Sequence, residues 1–189
     1  MLKIVPYQTA WPGEFLAIGK NLRQALGDLA LRIDHIGSTS VPGLAAKDII
    51  DIQVTVVSLD PAVEHAFTRA GYQRLIGFSQ DHLPPGSASP AGEWVKWFFK
   101  PPASMRPANV HVRLSGHPNQ RYALLFRDYL RAHPPTAQAY AQVKEALVKY
   151  HANDAEAYYA VKDPVCDIII GGAEEWALKV GWAPGPSDC

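Results

Sequence analysis

Cysteine, excess charge and long apolar segments are all scarce in this chain of 189 residues. Its two cysteines, Cys166 and Cys189, are too few for a disulfide framework or a cysteine-based zinc cluster. Basic and acidic residues balance at 18 each, so the formal net charge is zero and no global field favours DNA or an anionic membrane. The apolar stretch "VCDIIIGGA" is too short to cross a bilayer. We therefore expect neither extended nucleic acid nor a membrane as a partner.

The N-terminal sequence lacks the pattern of a secretory signal. "MLKIVPYQTAW" has one lysine, an early proline and no long apolar region, which leads us to expect a cytoplasmic protein. Hydrophobic residues make up 48% of the chain, enough for a packed core. Within that core Cys166 is predicted to be an inert thiol, whereas Cys189, at the end of the frayed-looking stretch "GWAPGPSDC", is predicted to be mobile.

Hydrophobic periodicity predicts an α+β fold with two parts. Thr9 can cap an amphipathic helix that begins near residue 11, and "IIDIQVTVV", residues 49–57, is the clearest strand. The segments "EWVKWFFK" and "NVHVRL" predict a hairpin, and the chain after Gly116 has helical periodicity. We expect a mixed β-sheet flanked by helices in residues 1–116. A helical C-terminal part, residues 117–189, is expected to pack on this core.

The stretch "HIGSTSVPGLAAKDIID" contains a turn suited to phosphate binding. Gly37 lets the backbone approach a ligand closely. The hydroxyl groups of Ser38, Thr39 and Ser40, with the nearby amides, can face an anion, and Lys47 adds a positive charge. A Gly-Ser turn before a strand is equally compatible with a purely structural role.

A carboxylate enters the strand that follows this turn. Asp51 lies in an apolar segment, where an unpaired carboxylate is costly to bury. The two-residue period of a strand places Asp51 and Gln53 on one face. If that face meets the turn, Asp51 could hold Mg²⁺ against the phosphates of a nucleotide. Pairing of Asp51 with Lys47 or with turn amides is an equally good interpretation of the pattern.

Several motifs together resemble the GrpB family, which is assigned to the nucleotidyltransferase superfamily. They are, in chain order, "HIGSTSVPGLAAKDIIDIQV", "AGY", "NVHVRL", "FRDYLRAHP", "AYAQVK" and "YYAVKD". The resemblance covers nearly the whole chain and implies a core like that of DNA polymerase β and kanamycin nucleotidyltransferase. In that superfamily a Gly-Ser turn binds a triphosphate, and three acids on two strands hold two metal ions. Members of the family also occur fused to dephospho-coenzyme A kinase, which suggests a link to coenzyme A metabolism.

Residue by residue, the superfamily pattern is matched only in part. Gly37 and Ser38 match the turn and Asp51 matches the first acid, but Gln53 stands at the second acid's position. The later strand offers Asn109, His111 and Arg113 on one face, without a carboxylate. Two-ion chemistry needs several charged oxygen ligands. This departure from the pattern puts a two-ion site in doubt and leaves a single Mg²⁺, carried mainly by the nucleotide phosphates, as feasible.

Further polar residues complete the predicted site. His111, Arg113 and His35 could form a cationic pocket for phosphate, in which either histidine could act as a general base. A strand whose polar face simply meets solvent is the alternative interpretation. Lys144 is a weaker candidate for phosphate contact, and we expect its amine to be in solvent. The predicted catalytic residues are Asp51 and His111, with Asp51 as the metal ligand. The predicted substrate-binding residues are His35, Gly37, Ser38, Thr39, Ser40, Lys47, Gln53, Arg113 and Lys144.

Three functions follow from this pattern. The first is binding of a nucleoside triphosphate or another phosphorylated small molecule, with transfer of a nucleotidyl group to a small acceptor through Asp51 and Mg²⁺. The second is a non-catalytic nucleotide- or phosphate-binding module that has lost its metal ligands. The third is an interaction module whose helical C-terminal part binds a protein partner. No oligomeric state is predicted.

Overall fold

The computed structural model describes residues 1–189 and contains five α-helices and one five-stranded sheet. The helices are α1 (Trp11–Leu26), α2 (Pro61–Arg69), α3 (Pro118–Ala132), α4 (Pro134–His151) and α5 (Ala155–Val180). The strands are β1 (Arg32–Ile36), β2 (Ile50–Val56), β3 (Gln73–Arg74), β4 (Trp97–Lys100) and β5 (Ala108–Leu114). The predicted α+β class, a mixed sheet flanked by helices, is confirmed.

The sheet has the strand order β1-β2-β5-β4-β3. The central pair, β2 and β5, is parallel, and the other three pairs are antiparallel. In this register Asp51 lies between Ile36 of β1 and Asn109 of β5, and Gln53 lies opposite His111. The polar residues of the two central strands therefore share one region in the middle of the sheet.

The two faces of the sheet differ in chemistry because apolar and polar residues alternate along β2 and β5. One face carries Ile52, Val54 and Val110, which are fully buried in the main core with residues of α1 and α2. The other face carries the polar side chains, and Gln53 on this face donates a hydrogen bond to the main chain of α3. The helices that follow residue 117 thus lie over the polar face.

The start of α1 differs from the sequence-based prediction. Thr9 is not the cap of α1, because Ala10 occupies that position and makes no side-chain cap. The segment before α1 forms an isolated bridge between Val5 and Ala46 and a backbone hydrogen bond from Leu2 N–H to Ala152 O (2.7 Å). A proline lies in the first turn of α1, where a backbone N–H would have no helical acceptor.

The C-terminal residues are packed along the edge strand β1. Ile33 N–H donates to Ser187 Oγ (2.9 Å), and Cys189 N–H donates to Ile33 O (3.1 Å). The Cys189 side chain packs against Gly19: a Cβ added to Gly19 would lie 3.1 Å from the Sγ of Cys189. The predicted mobility of Cys189 is therefore wrong: an edge strand presents unpaired backbone groups, and this segment satisfies them.

Cys166 is buried, as predicted, in a cluster formed by the C-terminal helices. None of these helices combines the length and apolar content that crossing a membrane requires.

Candidate active site

A cavity of about 690 Å³ lies between the polar face of the sheet and the C-terminal helices. This volume is typical of small-molecule sites in proteins. Six cationic side chains and three carboxylates line it: Lys47, Lys96, Lys100, Arg113, Lys144 and Lys162, with Asp51, Asp81 and Asp163. A chain with zero net charge thus concentrates positive charge in its cavity, which favours anionic ligands.

A second cavity, of about 780 Å³, is bounded by α3, α4 and the segment before β2. Its lining includes Arg131 and Glu145 but none of the side chains predicted to bind substrate or metal. We therefore place the candidate site in the first cavity.

The turn between β1 and β2 lies directly against Asp51. Gly37 has φ 68° and ψ −172°, a backbone conformation that is essentially restricted to glycine. A Cβ on Gly37 would lie 2.5 Å from Asp51 Oδ2, so any other residue would collide with the carboxylate. Ser38 follows and lines the cavity. The predicted proximity of the Gly-Ser turn and the strand acid is confirmed.

The Asp51 carboxylate is held in place and stays partly open to the cavity. Its Oδ1 accepts a hydrogen bond from Asn109 Nδ2 (2.6 Å), and His111 Nε2 lies 3.9 Å away. The side chain is 28% exposed. Burial raises the pKa of Asp51, but the neighbouring His111, the Asn109 amide and the charge of Lys47 outweigh this and bring it below its usual value. Asp51 is therefore an anion at neutral pH.

His111 lies next to Asp51 as a neutral side chain. Burial, with the positive charges of Arg113 and Lys96, outweighs the attraction of Asp51 and lowers the pKa of His111 to about 4. Its Nδ1 is 3.4 Å from Lys96 Nζ and 3.5 Å from an Arg113 nitrogen, both of which are donors. Nδ1 must then be the acceptor, which assigns the ring proton to Nε2, toward Asp51. His111 therefore adds no positive charge at neutral pH.

Arg113 is engaged by protein groups on all sides. It donates to Gln53 Oε1 (2.7 Å) and makes two hydrogen bonds to Asp81, from Nε to Oδ2 (2.7 Å) and from a terminal nitrogen to Oδ1 (3.0 Å). Lys96 Nζ also donates to Asp81, at 2.6 Å. Burial raises the pKa of Asp81, but the charge and hydrogen bonds of Arg113 keep it well below its usual range. Arg113 already has an internal anion as its partner.

Asp81 is a site residue that the sequence analysis missed. It belongs to the turn-rich loop of residues 79–92, which carries no hydrophobic period that would place it in the fold. Its backbone N–H donates to Trp94 O (3.0 Å), which fixes it beside β4. No sequence signal distinguishes it from the other polar residues of that loop.

Gln53 is fully buried and does not line the cavity. Its amide bridges Arg113 and the carbonyl of Gln120 in α3, to which Nε2 donates at 3.1 Å. An amide can accept from one partner and donate to the other, which a carboxylate cannot do. The neutral residue at the second acid position is therefore matched to its surroundings, and its predicted contact with substrate has no support in the geometry.

Lys144 reaches the Gly-Ser turn from α4. Its amine donates to Ala45 O (2.5 Å) and lies 2.8 Å from Ser38 Oγ, and the residue is only 2% exposed. The expectation of a solvated lysine is therefore wrong. Burial, followed by the positive charge of Lys162, lowers the pKa of Lys144 to about 7.

Lys47 is held at the cavity wall by two tyrosines of α5. Its amine donates to Tyr159 Oη (2.9 Å) and lies 5.1 Å and 4.9 Å from the ring centres of Tyr158 and Tyr159. The predicted substrate residues that line the cavity are Gly37, Ser38, Lys47, Arg113 and Lys144, together with the predicted catalytic residues Asp51 and His111.

His35, Thr39 and Ser40 are buried away from the cavity. The His35 ring stacks on Phe15 of α1 (4.7 Å between centres), and its Nε2 lies 3.0 Å from Thr39 Oγ1. Burial lowers the pKa of His35 to about 4. Ser40 Oγ donates to Gly37 O at 2.6 Å. These three side chains support the turn from within the protein, and their predicted contact with substrate stays a prediction.

The donor set near the turn is small for a metal site. The chain contains no group of three or more histidine, cysteine or acidic side chains arranged to hold a metal ion. Asp51, whose Oδ2 makes no hydrogen bond within the protein, fits one Mg²⁺ ion that takes its other ligands from phosphates and water. The residues present do not fit a two-ion site.

Comparisons with known proteins identify relatives of this chain. The family model described as "GrpB protein" matches residues 1–171. A protein of Mycobacterium tuberculosis named dephospho-CoA kinase is 40% identical over 96% of this chain and 48% of its own length. The Bacillus subtilis protein YqkA, of the UPF0157 group, is 32% identical over 100% of this chain and 52% of its own. The chain thus spans about half the length of these curated relatives.

Among solved structures, the conserved protein GrpB from Enterococcus faecalis has the same fold. It superimposes with a TM-score of 0.74 at 30% sequence identity, and the match covers 92% of this chain and 99% of that one. From the family match over residues 1–171 and this shared fold, we conclude that the chain belongs to the GrpB family.

Proposed function

We propose that this protein binds a nucleoside triphosphate or a related phosphorylated small molecule in the 690 Å³ cavity, with its phosphates over the Gly37–Ser38 turn. The observation that carries the proposal is the convergence of this turn, Asp51 and an excess of lysines on one cavity. Anionic phosphates gain most from such an arrangement, because the cationic groups are already oriented and partly removed from water.

Different cations have different tasks in this proposal. Lys144 lies next to the turn and Lys47 lies on the cavity wall; both would contact phosphate oxygens, while Ser38 Oγ would donate a hydrogen bond. Arg113 is satisfied by Asp81 and would act on the ligand only through the residues it positions. Lysines thus supply the charge that the sequence analysis assigned to Arg113 and His111.

Transfer of a nucleotidyl group to a small acceptor is the catalytic form of this proposal. Asp51 favours it, because its carboxylate is anionic, partly exposed and next to the turn. Bound Mg²⁺ would neutralise phosphate charge as it develops. Asn109 and His111 would keep Asp51 oriented, since the Nε2 proton of His111 faces the carboxylate.

The binding-only form is favoured by a different observation. Gln53 is fully buried and makes hydrogen bonds to Arg113 and Gln120, so no second carboxylate accompanies Asp51 on β2. A module of this kind would bind phosphates through lysines without a metal ion. The dependence of binding on Mg²⁺ separates the two forms.

The names of the relatives suggest which ligands to test first. Several proteins that are about 40% identical to this chain are named dephospho-CoA kinase, although only about half of their length is matched. A phosphorylated compound of coenzyme A metabolism, such as dephospho-coenzyme A, is therefore included beside the common nucleotides.

The test is a thermal-shift and calorimetric titration with ATP, CTP, GTP, UTP, pyrophosphate and dephospho-coenzyme A, each with and without Mg²⁺. A ligand at a hundredfold excess over its Kd stabilises the folded state by about 2.7 kcal/mol, roughly a 5–10 °C rise in Tm for a chain of this size. Lys144→Met should weaken binding by about tenfold or more, because it removes a buried charged donor. Lys149→Met, an exposed lysine on the same helix, is the matched control.

Two results distinguish the catalytic form from the binding-only form. Stabilisation that requires Mg²⁺ and is lost in Asp51→Asn supports the catalytic form. Stabilisation that is independent of Mg²⁺ and retained in Asp51→Asn supports the binding module. If none of these compounds shifts the Tm, the proposed function is wrong and the interaction module becomes the better hypothesis.

A further inference from the structure

Ser38 and Lys144 form a close pair on the cavity wall. The serine Oγ and the lysine Nζ are 2.8 Å apart, within hydrogen-bond distance, and both residues line the cavity. The lysine is in turn oriented by its bond to Ala45 O (2.5 Å) and by the Tyr140 ring, whose centre is 4.6 Å from Nζ. A hydroxyl, an adjacent base and a group that orients the base are the parts of an activated nucleophile.

The protonation state of Lys144 suits the role of a base. Burial and the charge of Lys162 lower the pKa of Lys144 to about 7, whereas Asp51, Glu145 and Cys166 act in the opposite direction. About half of the amine is then neutral at pH 7, with a lone pair able to accept the hydroxyl proton. A general base is most effective when its pKa is near the working pH.

We propose that Ser38 is a nucleophile, activated by Lys144, which takes up a phosphoryl group from a phosphoanhydride bound in the cavity. The inference rests on the proposed function for the nature of its substrate. Such a role goes beyond phosphate binding, because it makes Ser38 a covalent acceptor and gives Lys144 a task that only its neutral form can perform.

The reaction has two stages, transfer to Ser38 and hydrolysis of the phosphoserine. Ser38 Oγ attacks the terminal phosphorus, the Oγ–P bond forms, and the bond from phosphorus to the bridging oxygen breaks. The bridging oxygen keeps the electron pair and leaves as the terminal oxygen of the shortened ligand, while the hydroxyl proton passes to the amine of Lys144. Water then attacks the phosphoserine, Lys144 returns its proton to Oγ, and phosphate leaves after the attacking water loses a proton to solvent.

The surrounding charges make the step dependent on pH. Lys47 and Lys162 can hold the transferred oxygens while Lys144 is neutral. A bound phosphate raises the pKa of Lys144 again, so the anionic substrate reacts faster as the pH rises above 7. An uncharged phosphorus electrophile avoids this complication, which makes it the better probe.

The experiment is covalent labelling of the whole protein with an alkyl fluorophosphonate, read by intact mass and peptide mapping. In this reaction the Oγ–P bond forms, the P–F bond breaks and fluoride leaves. We expect one label, on Ser38, with a rate that rises about tenfold between pH 6 and pH 8, following deprotonation of Lys144. Lys144→Arg keeps a positive charge but cannot accept a proton, so labelling should fall at least tenfold. Lys149→Arg should label like the wild type.

Three results would overturn the inference: no label on Ser38, a rate independent of pH between 6 and 8, or equal labelling of Lys144→Arg. If that variant does not fold, as judged by circular dichroism, the pH profile of the wild type decides alone. Pyrophosphate binding, measured separately by calorimetry, distinguishes the two proposals. Lys144-dependent labelling without pyrophosphate binding supports the nucleophile and refutes its phosphorylated substrate, whereas pyrophosphate binding without labelling refutes the nucleophile alone.

Discussion

Replacing Gly37 by alanine tests whether the turn and Asp51 are as tightly fitted as the structure shows. Two costs add. The backbone at φ 68° and ψ −172° lies in a region that costs a non-glycine residue about 1–3 kcal/mol. The new Cβ would lie 2.5 Å from Asp51 Oδ2 and 2.9 Å from its Cβ, and such overpacking costs about 1–3 kcal/mol. We expect Gly37→Ala to lower the free energy of unfolding by about 2–6 kcal/mol.

The assay is urea unfolding followed by circular dichroism at pH 7. Gly43→Ala is the matched control: its residue also has a positive φ, of 78°, but a Cβ there meets nothing within 4 Å. That variant measures the cost of a positive φ without a steric contact, about 1–2 kcal/mol. The additional loss in Gly37→Ala reports the contact with Asp51 together with the more restricted backbone of Gly37. If Gly37→Ala loses no more stability than Gly43→Ala, the close approach of turn and carboxylate is refuted.

Other perturbations test the charge network. Asp81→Ala leaves the buried Arg113 without its anion and should cost about 3–5 kcal/mol in urea unfolding; a loss under 1 kcal/mol would show that the pair is solvated. For His35 and His111 the folded pKa, about 4, is below the unfolded value of 6.5. Between pH 6.5 and 4 the unfolded chain therefore binds more protons than the folded chain. The free energy of unfolding should decrease as the pH is lowered through that window, by up to about 3 kcal/mol per histidine. NMR titration showing a pKa near 6.5 for both rings would contradict this. Gln53→Glu should create no Mg²⁺ affinity detectable by calorimetry, because the side chain is sealed from the cavity.

The sequence predicted the contacts that depend on local pattern. A two-residue strand period and a short connection place Asp51 beside Gly37, and the register of β1 and β2 confirms it. The same alternation could have shown that His35 shares a face with the apolar residues, since it lies opposite Ile52. Family motifs highlighted His35 as a site residue, although its face of the sheet packs against α1.

Contacts that depend on tertiary packing were not accessible in this way. Lys144 is 106 residues from Ser38 in sequence, and only the docking of α4 brings its amine to the turn. Asp81 lies in a loop with no periodicity, so its partnership with Arg113 follows from the path of that loop over β4. Lys144 is buried and Asp81 is largely covered because each meets a specific partner in the folded chain, and sequence reasoning assigns charged residues to the surface by default.

The strap of residues 187–189 along β1 has a consequence for how the protein is made. Ile33 and its partner Ser187 are 154 positions apart, so a ribosome releases the strand long before the segment that covers it. Domains begin to fold during synthesis, and an exposed edge strand can pair with strands of other chains. The nascent protein therefore passes through a stage in which its sheet is formed yet open on one side, and chaperone binding is expected to concentrate at that stage.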